Sequence, residues 1–446
     1  MERTAKLEFS VDNWLAGNVG QDAERMTRAN LLISIGDKVA TLVYDEEAKS
    51  VRNRIRVPAY HLAYWLAFGW WRLNFEPSAG SDKSLDWRMS HEMPAIGHGC
   101  VWPAISFVPD GERVHIFVRQ TEAAPTEPIR YIEEFVESVS AKAFEVGIRS
   151  FIELVIKRLN AVGLRDTELH HLWRDVSDEC QNQDDFAYRS LEAALGYDPD
   201  DAPTEVIAQL RGLRALAGLG AIKEIASACG GDDPSAALDR IIDFSTRPGV
   251  KATVQVGQPL KGRNEVREYE ELLPWQRGKM LAEAARSAWL AGKGRVTDDD
   301  LSALLTISPD ILQHQADVSN DLPLGLAVRD SQYEAQVKLL FRKRNRPARR
   351  FEAARFLGST ITPNLTDAWL PSTDAKTAVQ KTQRAFAAEF LCPIDQLRDY
   401  LGVGKISEDK VEDAASFFGV SPMAVVSHLK NHGDIPYDDP LDSVLG

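Results

Sequence analysis

Cysteine is scarce in this chain, and its cysteines are far apart. Cys100, Cys180, Cys229 and Cys392 are the four in 446 residues, and no two of them form a Cys-x-x-Cys pair. A zinc knuckle or a disulfide framework needs closely spaced cysteines, so neither is indicated. This usage is typical of a reducing compartment.

Long apolar runs are also missing. The first residues, MERTAKLEFSVDNWLAG, lack the apolar stretch of a secretory signal, and no later run approaches the ~20 apolar residues of a membrane span. We therefore expect a cytoplasmic protein without a membrane partner.

Positive charge is in deficit, and the common nucleotide and nucleophile motifs are absent. The formal net charge is -14, which repels polyanions at long range. The sequence contains no GxxxxGK[ST], GxGxxG or GxSxG motif. General affinity for nucleic acid, P-loop chemistry and α/β-hydrolase chemistry are not indicated.

What the chain does contain is the composition of a folded protein. Hydrophobic residues make up 44% and charged residues 26%. The length suggests two or three domains, and the proline-bearing segment 121–128 is a candidate boundary. The patterns predict a predominantly helical α+β fold: a mixed N-terminal domain (1–125), a helical middle domain (129–330) and a C-terminal domain (335–446).

The N-terminal domain shows strand patterns interrupted by one apolar helix. LEFSV, LLISIGDKVATLVYD and SVRNRIRVP are β-branched and partly alternating, which predicts strands. Residues 61–72 are predicted to form a buried helix. Pro109-Asp110-Gly111 lies between two alternating runs and predicts a hairpin turn.

Helical spacing dominates the next stretch of the chain. From Ile129 onward, apolar residues recur every three or four positions, which predicts helices that end near Gly163, Gly196 and Gly230. Thr297 precedes three aspartates, and this pattern predicts a capped helix start.

Metal-binding patterns are weak in the first half of the chain. A zinc peptidase helix needs histidines at i and i+4 with a glutamate beside the first. His91-Glu92 is followed by Pro94 and only later by His98, so the spacing is wrong and the proline would interrupt a helix. An enzyme acting through His91, His98 and Cys100 has no support beyond their nearness in sequence.

Three segments near the C-terminus carry a family resemblance. They are RRFEAARFLGS (Arg349 to Ser359), QRAFAAEFLCPIDQL and ISEDKVEDAASFFGVSPMAVVSHLKNHG. From about Val337 to Asp434 this order resembles the ImmA/IrrE-type zinc metallopeptidase domain. The matching positions are Phe351, Ala354 and Gly358, then Phe386, Ala387, Ala388, Leu391 and Pro393, then Phe418, Gly419, Val420 and Ser421. The alternative is that these are ordinary amphipathic helices of an unrelated helical domain.

The departures from that family fall on its chemistry. Where the family has its two histidines, this chain has Arg355 and Ser359, and Phe356 stands in place of the catalytic glutamate. Thr382, beside Lys381, replaces the third, acidic ligand. Arginine does not become a metal ligand and phenylalanine accepts no proton. The resemblance therefore implies a zincin-like C-terminal domain without zinc or peptidase activity.

Two basic features suggest a polyanion or an acidic partner surface. One is the run 342–350 and the other is the C-terminal helix pair, whose second helix presents polar side chains. The residues concerned are Arg342, Lys343, Arg344, Arg346, Arg349 and Arg350 in the run, and His428, Lys430 and Asn431 in the pair. The competing interpretations are a solvated connection for the run and a part of the peptidase-like domain for the pair.

Two further groups have simple structural explanations. His170 and His171 are adjacent on a helix and point about 100° apart, so they do not share a metal. Trp65, Trp70 and Trp71 could stack on a base, but the apolar residues between them favour core packing.

Together these patterns predict a non-catalytic regulator or sensor that needs no metal or other cofactor and has another protein as its partner. The resemblance implies a setting in stress response, mobile-element control or phage defence. The alternative is a DNA-binding regulator that uses the basic run and the C-terminal helix pair.

Overall fold

A computed structural model of the chain describes residues 5–436. The positions within this range that it does not describe are 16, 19, 79–83, 122–127, 232, 255, 256, 261, 314–321, 332 and 334. The chain divides into two compact units. The first is Met1–Ile207 with Gly230–Asp232 and Ala375–Thr377, and the second is Ala208–Cys229, Asp233–Asp374 and Ala378–Gly446.

The first unit mixes strands and helices. Its strands are β1 (Leu7–Trp14), β2 (Arg28–Ile35), β3 (Lys38–Val39), β4 (Val43–Asp45), β5 (Ser50–Arg52), β6 (Ile55–Pro58), β7 (Ala104–Pro109), β8 (Arg113–Arg119), β9 (Ile129–Tyr131) and β10 (Phe135–Ser140). Its helices are α1 (Asp22–Met26), α2 (Ala59–Phe68), α3 (Trp70–Phe75), α4 (Leu85–His91), α5 (Ala141–Ala161), α6 (Glu168–Gln181) and α7 (Gln183–Ala194), with a 3₁₀ turn at Met93–Ile96.

Small antiparallel sheets form the centre of the first unit. β2 pairs with β1, β3 and β6, while β8 pairs with β7 and β10. Every second residue of β2 is buried, as expected of a strand with one face on a core. Helix α5 buries residues from Phe144 to Leu159 at helical spacing against the same core.

Residues 129–140 correct the expectation that helix begins at Ile129. They form β9, which pairs with β4, and β10, which pairs with β8. The helix begins only at Ala141, where the side chain of Ser140 accepts a hydrogen bond from the backbone N–H of Ala143. These pairings join 129–140 to the first unit, so the division into units differs from the three-domain scheme with a boundary at 125–129.

The second unit is mainly helical around one sheet. Its helices are α8 (Thr204–Ala217, of which residues 208–217 belong to this unit), α9 (Leu219–Cys229), α10 (Pro234–Thr246), α11 (Arg263–Glu271), α12 (Pro274–Trp289), α13 (Asp298–Leu305), α14 (Asp310–Gln313), α15 (Arg346–Ile361), α16 (Ala378–Leu391), α17 (Ile394–Leu401), α18 (Glu408–Phe418) and α19 (Pro422–Asn431). Its strands are β11 (Val250–Thr253), β12 (Leu324–Arg329), β13 (Gln336–Leu340) and β14 (Trp369–Thr373).

The sheet of the second unit is antiparallel, in the order β11-β13-β12-β14. Asn345 caps α15 by accepting a hydrogen bond from the N–H of Ala348, and Pro347 lies in the first turn, where its missing N–H costs nothing. Helices α12 and α15 both pack on α16. This arrangement positions the candidate site.

The fold class is confirmed: the chain is α+β and predominantly helical. Among the residues that the structure describes, no helix combines the length and apolar composition needed to cross a bilayer.

Trp70 and Trp71 lie in the core of the first unit, while Trp65 is half-buried and donates its indole N–H to the carbonyl oxygen of Met89.

Candidate functional site

The packing of α15 on α16 brings together the positions that the family resemblance singles out. Arg355 of α15 is buried, and its guanidinium donates to the side-chain oxygens of Gln380 and Gln383 on α16. It also donates to the backbone oxygen of Thr373 on β14, at 2.9 Å. One cation therefore joins two helices and a strand.

The surroundings of Arg355 determine its charge. Burial lowers the pKa of Arg355 to about 9, and the positive charge of Arg384 acts in the same direction, while Glu352 opposes both. Burial in turn raises the pKa of Glu352, whose carboxylate accepts the backbone N–H groups of Arg342 and Lys343. At neutral pH Arg355 remains protonated, so this position holds a buried positive charge.

The other three positions make contacts within their own helices or with the sheet. Phe356 is buried and packs its ring edge-on against Phe341, with centroids 5.5 Å apart. The hydroxyl of Ser359 donates to the backbone oxygen of Arg355 at 2.9 Å, and that of Thr382 donates to Ala378 at 3.0 Å. Each hydroxyl therefore donates its hydrogen bond within its own helix.

Strand β14 lies at one edge of its sheet, and side chains occupy its outer polar groups. The N–H of Thr373 donates to the side-chain oxygen of Gln380 at 2.9 Å, and its carbonyl accepts from Arg355. The carbonyl of Pro371 accepts from the amides of Gln380 and Gln383 at 3.0 and 3.2 Å. An extended peptide that added to this edge would have to displace these bonds.

The basic run 342–350 is largely used inside the second unit. Arg342 bonds the backbone oxygen of Pro323 and the carboxylate of Asp374. Arg349 is buried, lies over the ring of Phe341, and donates to the backbone oxygen of Ile311 at 2.9 Å. These cations hold the domain together internally.

Asp298 collects the next part of the run. It pairs with Arg346 at 2.8 Å and with the buried Arg350, which also donates to the backbone oxygens of Val296 and Gly419. Burial alone would raise the pKa of Asp298, but the hydrogen bond from Arg346 and the charge of Arg350 hold it below its ordinary value.

Lys343 and Arg344 are the remaining cations of the run. Lys343 is half-buried and Arg344 is exposed. Arg344 and Arg346, at the N-terminal end of α15, are therefore the cations of the run that lie on the surface.

The C-terminal helix pair exists, with Gly419 in the left-handed conformation between α18 and α19. His428 is buried and lies 3.3 Å from the carboxylate of Glu389, and Lys430 is also buried, while Asn431 is exposed. Burial tends to raise the pKa of Glu389, but the contact with His428 outweighs it and lowers that pKa. Two of the three proposed contact residues thus face the interior of the second unit.

Among the described residues, His91 does not belong to a metal-type cluster with His98, although a sequence-based hypothesis has the two act together. His91 is buried, and its two ring nitrogens lie 2.9 Å from the backbone oxygen of Trp87 and 3.2 Å from that of Arg72. His98 instead clusters with Glu24 and His61.

His170 and His171 do not converge on a common site. His170 lies 2.8 Å from the hydroxyl of Thr167 at a helix start, and His171 pairs with Asp166 on the surface.

The sequence patterns missed Glu24 and His61. They lie about 37 residues apart on different helices, so no local spacing rule applies to them.

Comparison with known proteins found no matching family model, no matching curated protein and no matching solved structure.

Proposed function

We propose that the protein is a non-catalytic regulator or sensor whose residues 335–446 form an ImmA/IrrE-like domain in which arginine has replaced the metal. The observation that carries this proposal is the buried guanidinium of Arg355. It bonds α16 and β14 from the position where the resemblance expects a zinc-binding histidine. A side-chain cation would then do the structural work of the ion.

The chemistry of the four positions supports a loss of hydrolysis. Guanidinium, phenyl and hydroxyl groups offer no set of three zinc ligands, and Phe356 cannot act as a general base. The occupied edge of β14 further supports the absence of a peptide-binding groove at Pro371 and Thr373. A domain kept without catalysis acts by binding, and we propose another protein as its partner, in stress response, mobile-element control or phage defence.

DNA binding receives less support. It needs cations on a surface that phosphates can approach, whereas Arg349, Arg350, His428 and Lys430 are buried. We therefore place the regulatory role on a protein partner.

A designed reversion tests the proposal. The variant carries Arg355→His, Phe356→Glu, Ser359→His and Thr382→Glu, and both it and its parent carry His98→Ala so that the cluster in the first unit does not bind zinc. We expect the revertant to bind one zinc ion per chain and the parent to bind none, as measured by metal analysis after dialysis. Circular dichroism verifies that both chains are folded.

Two results would count against the proposal. The first is a parent chain that retains stoichiometric zinc and loses a peptidase activity on chelation. The second is a folded revertant that binds no zinc, since the geometry of α15 and α16 would then not be that of a peptidase site.

A further inference from the structure

Three side chains of metal-binding type meet in the first unit. Glu24 lies on α1, His61 in the first turn of α2, and His98 in the loop after the 3₁₀ turn, and one ligand atom from each lies within 4.8 Å of the others. The side chain of His61 is 8% exposed and that of Glu24 is 24% exposed. The cluster is therefore accessible from one side and supported by the core on the other.

Two of the three groups already have the separation of metal ligands. The Nε2 of His61 lies 3.2 Å from the Oε1 of Glu24. Bonds of 2.0–2.1 Å to a tetrahedral zinc ion separate two ligand atoms by about 3.3 Å. The second oxygen of Glu24 accepts the backbone N–H of Gln21 at 3.1 Å, which fixes the direction of the carboxylate.

The third group, His98, is presented by an unusual loop. Gly97, His98 and Gly99 all have positive φ, at 64°, 54° and 70°. Positive φ is uncommon for residues other than glycine, and histidine is one of the types that adopt it more often than most. The loop lays the His98 ring on the His61 ring, with centroids 3.8 Å apart and planes 11° apart.

We infer that Glu24, His61 and His98 form a binding site for one divalent transition-metal ion of the zinc type. Two imidazoles and a carboxylate are a donor set that suits such ions, and three protein ligands leave a fourth position for water. An ion lies in the plane of each imidazole that it binds, so the stacked rings must turn apart. His98 is the exposed partner, and its ring is the one that turns.

The bound ion would connect three segments that are distant in sequence. It would join α1, α2 and the loop at 97–99, and it would hold that loop in one conformation. Because the ion binds the folded unit and not the unfolded chain, it raises the stability of the first unit by an amount that grows with the logarithm of the ion concentration above the dissociation constant. This site is independent of Arg355 and does not rest on the proposed function.

Titration of the full chain tests the inference. The chain is stripped with a chelator, dialysed, and titrated with Zn²⁺ by calorimetry and with Co²⁺ by visible absorption. We expect one ion per chain and a rise in the thermal unfolding temperature with Zn²⁺. His98→Ala should weaken binding by more than about 10-fold, because it removes a direct ligand and even outer-shell changes cost that much.

Two control variants make the result specific. His171→Ala removes an exposed histidine elsewhere in the first unit and should leave the affinity unchanged. Cys100 lies close enough for the charge of Glu24 to act on its thiol, so Cys100→Ser tests binding by the thiol instead. The inference is overturned if the stripped chain binds no zinc, if His98→Ala binds as the wild type does, or if only Cys100→Ser abolishes binding.

Discussion

A single buried arginine joins three elements of the second unit. Arg355 satisfies oxygens of Gln380, Gln383 and Thr373, which belong to two different elements. Each buried oxygen that loses its donor costs about 1–3 kcal/mol. The stability of the second unit therefore depends on the hydrogen bonds that this guanidinium donates.

Replacing this arginine by an apolar residue of similar length should destabilise the second unit. We predict that Arg355→Met lowers the free energy of unfolding by about 1–3 kcal/mol, since the side-chain oxygen of Gln383 stays buried without the donor that Arg355 supplies, whereas that of Gln380 keeps the N–H of Thr373. Urea denaturation monitored by circular dichroism measures the change.

Adding Gln383→Leu tests the coupling within the same pair. The double variant should lose less than the sum of the two single losses, because the second change removes an oxygen that the first left unpaired. Arg263→Met, at an exposed arginine of α11, is the matched control and should change stability little. An Arg355→Met chain as stable as the wild type would contradict this account.

A second buried charge, in the first unit, makes stability depend on pH. Arg72 is shared by three carboxylates: Glu76 at 2.6 Å, Asp86 at 2.6 Å and Asp198 at 3.5 Å, while His91 lies 3.7 Å from Glu76. Burial raises the pKa of Glu76 to about 7 and outweighs the hydrogen bond and the charge of Arg72, which lower it, while the charges of Asp86 and Asp198 act in the same direction as burial. The most buried carboxylate thus keeps its proton longest.

The contribution of Glu76 to the stability of the first unit should therefore fall as pH rises from about 4.5 to about 7. In that window the folded chain holds a proton on Glu76 that the unfolded chain has lost, so raising the pH favours unfolding. We predict that Glu76→Gln removes this dependence, with a difference from the wild type that grows to about 3 kcal/mol at pH 8.

Tryptophan fluorescence is a suitable probe for this comparison, since seven of the ten tryptophans lie in residues 1–207. Titrating groups remote from Glu76 are common to both chains, so their contributions cancel in the difference. A difference that stays constant between pH 4.5 and 8 would show that Glu76 is ionised throughout.

At the scale of elements, two glycines allow α16 to lie close to its neighbours. A β-carbon on Gly278 of α12 would lie 2.4 Å from the backbone oxygen of Thr382 and 2.7 Å from the backbone N of Phe386. A β-carbon on Gly358 of α15 would lie 2.6 Å from the ring of Phe386. Both helices approach α16 at the same residue.

Alanine at these glycines should therefore destabilise the second unit, although alanine favours helix by about 0.5–1 kcal/mol over glycine. We predict a larger loss for Gly278→Ala than for Gly358→Ala, because backbone atoms of α16 cannot move aside as a ring can. Chemical denaturation of the two variants gives the order.

Gly212 provides the matched control for this pair. It lies within α8, and a β-carbon there would meet nothing within 4 Å. Gly212→Ala should therefore stabilise the chain by about 0.5–1 kcal/mol. If all three variants were stabilised alike, the close approach of α16 to α12 and α15 would be refuted.

Sequence periodicity predicted those elements whose ends carry their own chemistry. The helix start at Thr297 is confirmed, since its side chain accepts from the N–H of Asp300. The segment from Arg349 to Ser359, which the family resemblance singled out, lies within α15. The helix prediction for residues 129–140 was wrong, because these residues pair as strands with Val43–Asp45 and Arg113–Arg119, and this pairing overrides their local helical spacing.

For the whole molecule, the candidate sites differ in how much of each could be predicted. The family resemblance identified Arg355 as the residue at a zinc-ligand position. The bonds from Arg355 to Gln380 and Gln383 could not be predicted, because they depend on the packing of α15 on α16. Glu24 and His61 could not be predicted, because folding brings together residues from separate helices and no sequence spacing encodes that meeting.

The two metal proposals make one combined prediction about the whole chain. Stoichiometric zinc should number one ion in the wild type, none in His98→Ala, two in the chain with the fourfold reversion at 355, 356, 359 and 382, and one when both changes are combined. The counts add because the two donor sets share no residue, and changes at sites without common partners are independent. Metal analysis of the four dialysed chains measures this directly. Two ions in the chain that combines the fourfold reversion with His98→Ala would show that His98 is not a ligand. A count of zero in the wild type together with one in the revertant would reject the site at Glu24 and leave the account of Arg355 intact.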